Sequence, residues 1–294
     1  MSAEVRPAID PAAARRWARL PVDQAPWLHE EIGHRMAERL DVIRLPVERW
    51  ADGSPQRGGA ATHARVAAHY PGARAFVLDE AGRIAPYAPA SQTWWQRWRS
   101  AARDERLAPE GTMDLVWANM RAHQAADPGA LLMTWRHALA SGGFVMFSCL
   151  GPDTLRELRA LYARLGWPPP AQEFADLHDW GDWLLAAGFA EPVMDMERLT
   201  LTFPDAARLL AELRGLGRNL HPARFAGLRT RAWRERLYAE LGTALRADPD
   251  QPLALTFEVI YGHALAPHPR RAVTAQTEIP LDQFRAALRH KSGR

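Results

Sequence analysis

Four polar residues end short runs that are predicted to be β-strands: Asp52, Asp79, Asn119 and Ser148. In a doubly wound sheet, ligands bind outside the carboxyl ends of the parallel strands, so these side chains are candidates to meet at one edge. A carboxylate that ends the second strand can accept the ribose hydroxyls of a nucleotide-type cofactor. Asp79 occupies that position, and the arrangement predicts a site for such a cofactor.

The loop after the first predicted strand, Asp52-Gly-Ser-Pro-Gln-Arg-Gly-Gly59, matches a D-x-G-x-G-x-G pattern only in part. Asp52 and Gly58 fit the pattern, whereas Ser54 and Gln56 take the two middle glycine positions. Pro55 also removes a backbone N–H donor from the loop. Both a degenerate cofactor loop and an ordinary strand–helix connection agree with these residues.

Short apolar runs alternate with helical patterns in the first half of the chain. This alternation predicts βαβ units, and therefore an α/β, doubly wound Rossmann-like fold with a mostly parallel sheet. The predicted strands are 47–52, 75–78, 114–118 and 144–147, and the predicted helices are 60–70 and 131–140. Stretches 199–203 and 253–261 then alternate apolar and polar residues, which predicts an antiparallel pair at one sheet edge.

These patterns divide the chain into three parts. Residues 1–45 form an N-terminal helical segment, in which 10–44 reads as helical, residues 46–267 form the α/β domain, and residues 268–294 form a C-terminal tail. Within the domain, residues 204–252 form a helical insertion that is rich in arginine. Two helices, 205–216 and 230–245, are predicted inside this insertion.

Composition restricts the classes of protein that this chain can belong to. It has 294 residues, 47% hydrophobic and 24% charged, which is ordinary for a soluble globular protein. The single cysteine, Cys149, excludes a disulfide framework and cysteine-clustered metal sites. There is neither an apolar span of ~18 residues nor an apolar signal core, so we expect a cytoplasmic protein that does not bind membranes.

One acidic cluster could bind a metal. Asp176, His178, Asp179 and Asp182 are plausible metal ligands by residue type. Their spacing also places Asp179 at the N-cap of the following helix, with Asp182 in its first turn. We favour the cap and expect no metal site.

The second half of the chain carries more specific motifs. The stretch Phe147-Ser-Cys-Leu-Gly-Pro-Asp-Thr-Leu-Arg-Glu-Leu158 and the blocks 176–197, 216–219 and 255–264 resemble the malonyl-ACP O-methyltransferases of biotin synthesis, the BioC family. They are also similar to the methyltransferase-fold assembly factor of mitochondrial complex I. The resemblance covers roughly residues 30–267. It implies the class I S-adenosylmethionine (SAM) methyltransferase fold, with a seven-stranded, mostly parallel sheet and an antiparallel edge strand.

The resemblance also implies roles for individual residues. Asp52 and Gly58 fall on the SAM loop, Asp79 on the ribose-binding acid, and Asn119 on the end of strand four. Ser148 opens the motif after strand five and is a candidate to bind substrate. No catalytic side chain is assigned, because a sulfonium methyl donor is already activated and its transfer needs mainly alignment.

The implied substrate is a malonyl carboxylate, which is ionised at neutral pH and needs a cation to position it. Arginine binds carboxylates bidentately, and Arg218 and Arg224 of the insertion are the candidates, with solvated helix faces as the alternative. Residues 204–236 hold eight arginines and three acidic residues, while the formal net charge of the whole chain is only +3. This local charge suits an acidic acyl carrier protein, and no nucleic-acid motif accompanies it.

Two functions therefore stay open. The first is a SAM-dependent methyltransferase that acts on the carboxylate of a malonyl thioester in biotin synthesis. The second is a methyltransferase-fold protein that does not bind SAM and serves as a binding or assembly factor. The residues Ser54-Pro55-Gln56 favour the second function, whereas Asp79 and the 147–197 block favour the first.

Overall fold

The computed structural model describes residues 8–22, 24–87, 108–246, 248 and 250–268. At its centre is a seven-stranded sheet with the order β3-β2-β1-β4-β5-β7-β6. The strands are β1 (Arg49–Asp52), β2 (Arg74–Leu78), β3 (Ile84–Pro86), β4 (Met113–Ala118), β5 (Leu139–Leu150), β6 (Ala190–Phe203) and β7 (Leu253–Leu265).

Helices cover both faces of this sheet and its carboxyl edge. They are α1 (Pro11–Ala18), α2 (Trp27–Glu38), α3 (Pro55–Gly58), α4 (Ala60–His69), α5 (Pro128–Ala138), α6 (Arg156–Arg164), α7 (Leu177–Ala186), α8 (Ala206–Leu216) and α9 (Arg231–Ala244). Two 3-10 turns, Arg39–Val42 and Ala122–Gln124, complete the regular structure of the described residues. None of the helices in these ranges is long and apolar enough to cross a membrane.

Strand directions confirm the predicted fold. β1 runs parallel to β2 and β4, and β4 runs parallel to β5, so the carboxyl ends of these four strands share one edge. β6 and β7 pair antiparallel at the far side, as the alternation of residues predicts. The antiparallel edge strand β3, which returns along β2, was not anticipated from the sequence.

The alternation of side chains along β4 divides the core into two layers. Leu115 and Trp117 point into the layer that contains Ile32 and Met36 of α2. Val116 lies on the other face of the sheet, in the layer that includes Trp135 and Trp180. Because Ile32 and Met36 pack in this layer, α2 belongs to the same core as the sheet. Burial of each such apolar side chain contributes about 1.5–3 kcal/mol.

Three local predictions are corrected by the structure. Residues 10–44 are not one helix, because Pro21 and Pro26 fall in the break between α1 and α2. The loop 52–59 contains a helical turn, α3, with Pro55 at its first position. Helix 131–140 instead runs from Pro128 to Ala138, because Asp127 caps it by accepting a hydrogen bond from the backbone N of Ala130.

The predicted tail 268–294 lies outside the described residues except for His268. The insertion holds α8 and α9 within two residues of their predicted bounds.

Candidate cofactor and substrate site

Three cavities adjoin one another at the carboxyl edge of the sheet, and all three are lined by Trp17 and Gln124. The apolar chamber, about 260 Å³, lies beyond the end of β5 and contains Leu158, Phe174 and Phe257 in its wall. The Glu80 pocket, about 220 Å³, is named for the acid that follows β2. The Arg57 pocket, about 520 Å³, is named for the arginine of the loop after β1.

Polar side chains fix the turn that replaces a glycine-rich loop. The carboxylate of Asp52 accepts hydrogen bonds from the backbone N of Ser54 at 2.9 Å and from Nδ1 of His63 at 2.8 Å. Nδ2 of Asn119 donates to the carbonyl of Gly58, and Nδ1 of His29 donates to the carbonyl of Arg57 at 2.7 Å. These bonds hold α3 in one orientation.

Gly58 is required for packing in this structure. A Cβ at this position would lie 3.1 Å from the carbonyl oxygen of Asn119, which is tighter than most contacts of real Cβ atoms. The glycine therefore lets α3 approach the end of β4.

Arg57 is the side chain that this turn presents to the cleft. Its Nη2 donates to the carbonyls of Trp17 at 2.8 Å and of Leu20 at 2.6 Å, and its guanidinium lies 4.2 Å from the centre of the Trp17 ring. Burial, followed by the nearby charges of Arg121 and Arg218, lowers the pKa of Arg57. An anion in this pocket would relieve that repulsion.

The two acids after β2 face different surroundings. Asp79 sits in the hairpin between β2 and β3, where its carboxylate accepts from the backbone N of Ala81 and of Arg83 and pairs with the Arg83 guanidinium at 2.7 Å. Burial opposes ionisation of Asp79, but the Arg83 and Ala81 bonds outweigh it and lower the pKa of the carboxyl. Glu80 instead lines the Glu80 pocket, where its Oε1 pairs with Arg121.

Asn119 and Ser148 connect the ends of β4 and β5. Oγ of Ser148 donates to Oδ1 of Asn119 at 2.6 Å and accepts from the backbone N of Met120 at 2.9 Å. Met120 has a φ of 52°, a left-handed conformation that is uncommon outside glycine and occurs often at functional sites. Ser148 is fully buried, and its two hydrogen bonds tie the ends of β4 and β5 together.

A buried carboxylate supports the turn after β5. Oε2 of Glu258 accepts from the backbone N of Asp153 at 2.7 Å, and the Oγ of Thr154 donates to the carbonyl of Glu258 at 3.1 Å. Leu155 then takes a φ of 58° before α6 begins. Thr154 and Leu155 both line the apolar chamber, so Glu258 holds part of its wall in place.

The two candidate arginines of the insertion differ in what they contact. Arg218 lines both the apolar chamber and the Arg57 pocket, its Nη1 donates to the carbonyls of Arg214 and Gly217, and its guanidinium lies 5.2 Å from the centre of the Trp17 ring. Arg224 pairs with Asp10 at 2.8 Å, which ties the insertion to the start of α1. Of the two arginines, Arg218 is therefore the one that lines the cavities of the carboxyl edge.

The acidic cluster before α7 forms a helix cap, with Asp176 as the N-cap residue and Asp179 completing a capping box. The prediction of Asp179 as the N-cap is wrong by three residues. Desolvation is the largest of the effects that raise the pKa of Asp179. Within the part of the chain that the structure describes, no group of three or more His, Cys, Asp or Glu side chains could hold a metal ion.

Sequence reasoning missed several residues that line the site. Trp17 and Gln124 carry no local signal, because 107 positions separate them along the chain. His123 follows Asn119 closely but has no motif around it. Glu80 and Arg57 could have been identified from the sequence. Glu80 directly follows Asp79, and Arg57 lies in the loop that contains Asp52 and Gly58.

Comparison with known proteins places the chain among one set of relatives. The malonyl-[acyl-carrier protein] O-methyltransferase of Gallionella capsiferriformans is 35% identical over 257 residues, which cover 84% of this chain and 87% of that protein. The protein of the same name from Laribacter hongkongensis is 35% identical over 280 residues, 91% of each chain. That of Legionella pneumophila is 32% identical over 243 residues, 81% of this chain and 83% of its own.

No protein-family model matches the chain. Among solved structures, the YcgJ protein of Bacillus subtilis covers 80% of this chain and 99% of its own, with 13% sequence identity and a TM-score of 0.48. This likeness is too loose to bear on function.

Proposed function

Because the chain belongs to the malonyl-[acyl-carrier protein] O-methyltransferase family, we propose that it methylates the free carboxylate of a malonyl group carried as a thioester on an acyl carrier protein, with SAM as the methyl donor. The observation that carries this proposal beyond the relatives' names is the geometry of the carboxyl edge. There the apolar chamber adjoins two pockets whose walls include charged side chains, Glu80 and Arg121 in one and Arg57 and Arg218 in the other. The reaction belongs to biotin synthesis, as the family resemblance implies.

The side chains that line the Glu80 and Arg57 pockets fit SAM. The Glu80 pocket combines a carboxylate, which can accept ribose hydroxyls, with apolar atoms of Ala125 and Leu131, which suit an adenine ring. The Arg57 pocket presents a guanidinium that suits the carboxylate at the amino-acid end of SAM. Glu80 and Arg57 are the residues proposed to hold the cofactor.

The predicted cofactor residues then take indirect roles. Asp52, Gly58 and Asn119 shape the turn that aims Arg57. The carboxylate of Asp79 stabilises the hairpin that carries Glu80. We therefore propose Glu80, instead of Asp79, as the acid that binds the ribose. Such a turn supplies fewer backbone donors than a glycine-rich loop, and the arginine compensates with side-chain donors.

Bound SAM supplies a methyl group that its sulfonium has already activated, so the protein must mainly align and desolvate the reactants. The malonyl carboxylate is ionised at neutral pH and needs no general base. Arg218 lines both the chamber and the Arg57 pocket, and its guanidinium can orient that carboxylate toward the cofactor.

The insertion offers a docking surface for the carrier protein. Leu228 is 98% exposed and Phe225 is 44% exposed, and both lie among the arginines of residues 204–236. Exposed apolar side chains among basic ones suit a partner whose docking surface is acidic and includes apolar side chains.

The proposal is tested by incubating the protein with malonyl-acyl carrier protein and SAM labelled in its methyl group. We expect label to be transferred to the carrier protein in a form that alkali releases, as a methyl ester requires. Acetyl-acyl carrier protein, which lacks the carboxylate, is the matched control and should stay unlabelled. Equal labelling of both carrier proteins, or of neither, would contradict the proposal.

The names of the relatives favour this enzyme over a binding or assembly factor that does not use SAM. A cytoplasmic location, and the absence of nucleic acid as a partner, stay predictions from the sequence.

A further inference from the structure

His123 is a buried polar side chain in the wall of the apolar chamber. It is 8% exposed, and its ring lies edge-on to Phe174 with the ring centres 5.8 Å apart. Its Nδ1 accepts a hydrogen bond from the backbone N of Leu150 at 3.3 Å. An Nδ1 that accepts carries no proton, so in the neutral ring the proton is on Nε2.

Nε2 of His123 makes no hydrogen bond to any residue in the described part of the chain, and the ring lies in the wall of the chamber beside Phe174. Burial, with smaller effects from the charges of His29 and Arg121, lowers the pKa of His123 to about 3. The ring is therefore a neutral donor under physiological conditions.

We propose that Nε2–H of His123 donates a hydrogen bond to the thioester carbonyl oxygen of the acyl group that occupies the apolar chamber. This inference rests on the proposed function, because it takes the malonyl thioester as the ligand. It makes His123 a substrate-binding residue that fixes the acyl group by its inner oxygen while Arg218 holds the outer carboxylate.

The charges of the two ligand groups explain why His123 binds the carbonyl and Arg218 binds the carboxylate. A neutral donor on an apolar wall suits a neutral carbonyl, whereas an ionised carboxylate favours a guanidinium. Arg214 and Arg218 line the same chamber, so both kinds of donor face one cavity. Binding at both ends lets the site discriminate a malonyl thioester from an acyl thioester that ends in a methyl group. The second ligand has no carboxylate, so its binding would leave the arginines unpaired.

Two substitutions separate binding from structure at this position. His123→Asn keeps an acceptor where Nδ1 lies, so it can still accept from Leu150, but it loses the distal donor. His123→Gln keeps a donor near the Nε2 position and loses the acceptor. Thermal unfolding and circular dichroism of the full chain establish that both variants fold.

The ligands are malonyl-pantetheine and the thioether analogue in which a methylene replaces the thioester carbonyl. In calorimetric titrations we expect His123→Asn to weaken the binding of malonyl-pantetheine about tenfold and His123→Gln to weaken it less than about threefold. We expect the thioether to bind wild type and His123→Asn equally, because it offers no oxygen to the lost donor.

The inference is overturned if His123→Gln is the weaker binder, or if the asparagine variant loses affinity for both ligands alike, since either result shows a merely structural histidine. Methyl transfer to malonyl-acyl carrier protein, measured in parallel, tests the proposed function separately. If wild type methylates the carrier protein and the variants show no difference between the two ligands, only the role of His123 fails. If wild type binds neither ligand and transfers no methyl group, the proposed function fails and this inference with it.

Discussion

The indole N–H of Trp17 donates a hydrogen bond to Oε1 of Gln124, with 3.1 Å between the two heavy atoms. This contact joins α1 to the turn after β4, and the same two residues line all three cavities of the carboxyl edge. Guanidinium groups of Arg57 and Arg218 lie 4.2 and 5.2 Å from the centre of the indole ring. The N-terminal helix is thus part of the site.

A double-mutant cycle measures this contact. Trp17→Phe removes the donor, Gln124→Leu removes the acceptor, and we expect each substitution to lower the free energy of unfolding by about 1 kcal/mol. Because both act on one hydrogen bond, the double variant should lose about 1 kcal/mol less than the two single losses combined. Urea unfolding of the four proteins gives the coupling, and additive losses would show that the contact is not formed.

The two acids after β2 can be distinguished by cofactor binding. We expect Glu80→Gln to weaken the binding of S-adenosylhomocysteine at least about tenfold, because the ribose hydroxyls lose a charged acceptor. Asp79→Asn is the matched control and should change that affinity by less than about threefold, since its carboxylate bonds its own hairpin. Calorimetric titration measures both, and the reverse order would restore Asp79 as the ribose acid.

The insertion arginines are expected to differ in kinetics. Arg218→Gln should raise the KM for malonyl-acyl carrier protein about tenfold, because the carboxylate loses a charge-assisted bond. Arg224→Gln should leave KM within about twofold and instead lower the free energy of unfolding slightly, through loss of the Asp10 pair. Steady-state kinetics together with urea unfolding separate these effects, and equal KM values for the two variants would contradict the assignment.

Ionic strength tests the proposed docking surface. We expect the affinity for the acidic carrier protein to fall as salt rises, because exposed charges are screened within about 8–10 Å at physiological ionic strength. Arg234→Glu, on the exposed face of α9, should weaken binding and flatten the salt dependence. Arg44→Glu is the control, since Arg44 is exposed just before β1, at the amino edge of the sheet. If wild type and both variants show the same dependence of carrier-protein affinity on salt, the arginine surface is not part of the interface.

How far the sequence predicts this molecule depends on whether a feature is local. The alternation in 253–261 gave β7, and the strand ends Asp52, Asn119 and Ser148 do meet at one edge. Their roles were not predictable, because a polar residue at a strand end can either face a ligand or bond the neighbouring strand. Ser148 does the latter.

The N-terminal contribution could not be predicted for a different reason. Nothing in the sequence around Trp17 indicates that it packs beside Gln124 and Arg218, since such contacts depend on the whole tertiary arrangement. The position of β3 could not be predicted from the sequence either. Gly82 has a φ of 81° and lets the chain turn back along β2, where a helical crossover was the expectation for an α/β fold.

Two buried histidines make stability depend on pH. Burial lowers the pKa of His29 to about 4 and that of His123 to about 3, whereas in the unfolded chain both titrate near the ordinary value of 6.5. Below about pH 6.5 the unfolded state therefore binds protons that the native state does not, so stability falls as pH falls, by up to about 1.4 kcal/mol per unit for each histidine.

Urea unfolding near about pH 7 and about pH 5 checks this dependence. The double variant His29→Gln, His123→Asn should lose less stability over that interval than wild type does. An equal loss in the two proteins would show that other groups cause it.

We expect the cleft to hold the methyl donor through Arg57 and Glu80, although it has no glycine-rich loop. Calorimetric titration of this protein and of its Arg57→Gln variant with SAM measures that binding. We expect saturable binding to wild type, an increase in its melting temperature on saturation, and at least about tenfold weaker binding to the variant. Neither heat nor thermal stabilisation of wild type at millimolar SAM would contradict the claim, and so would equal affinities of the two proteins.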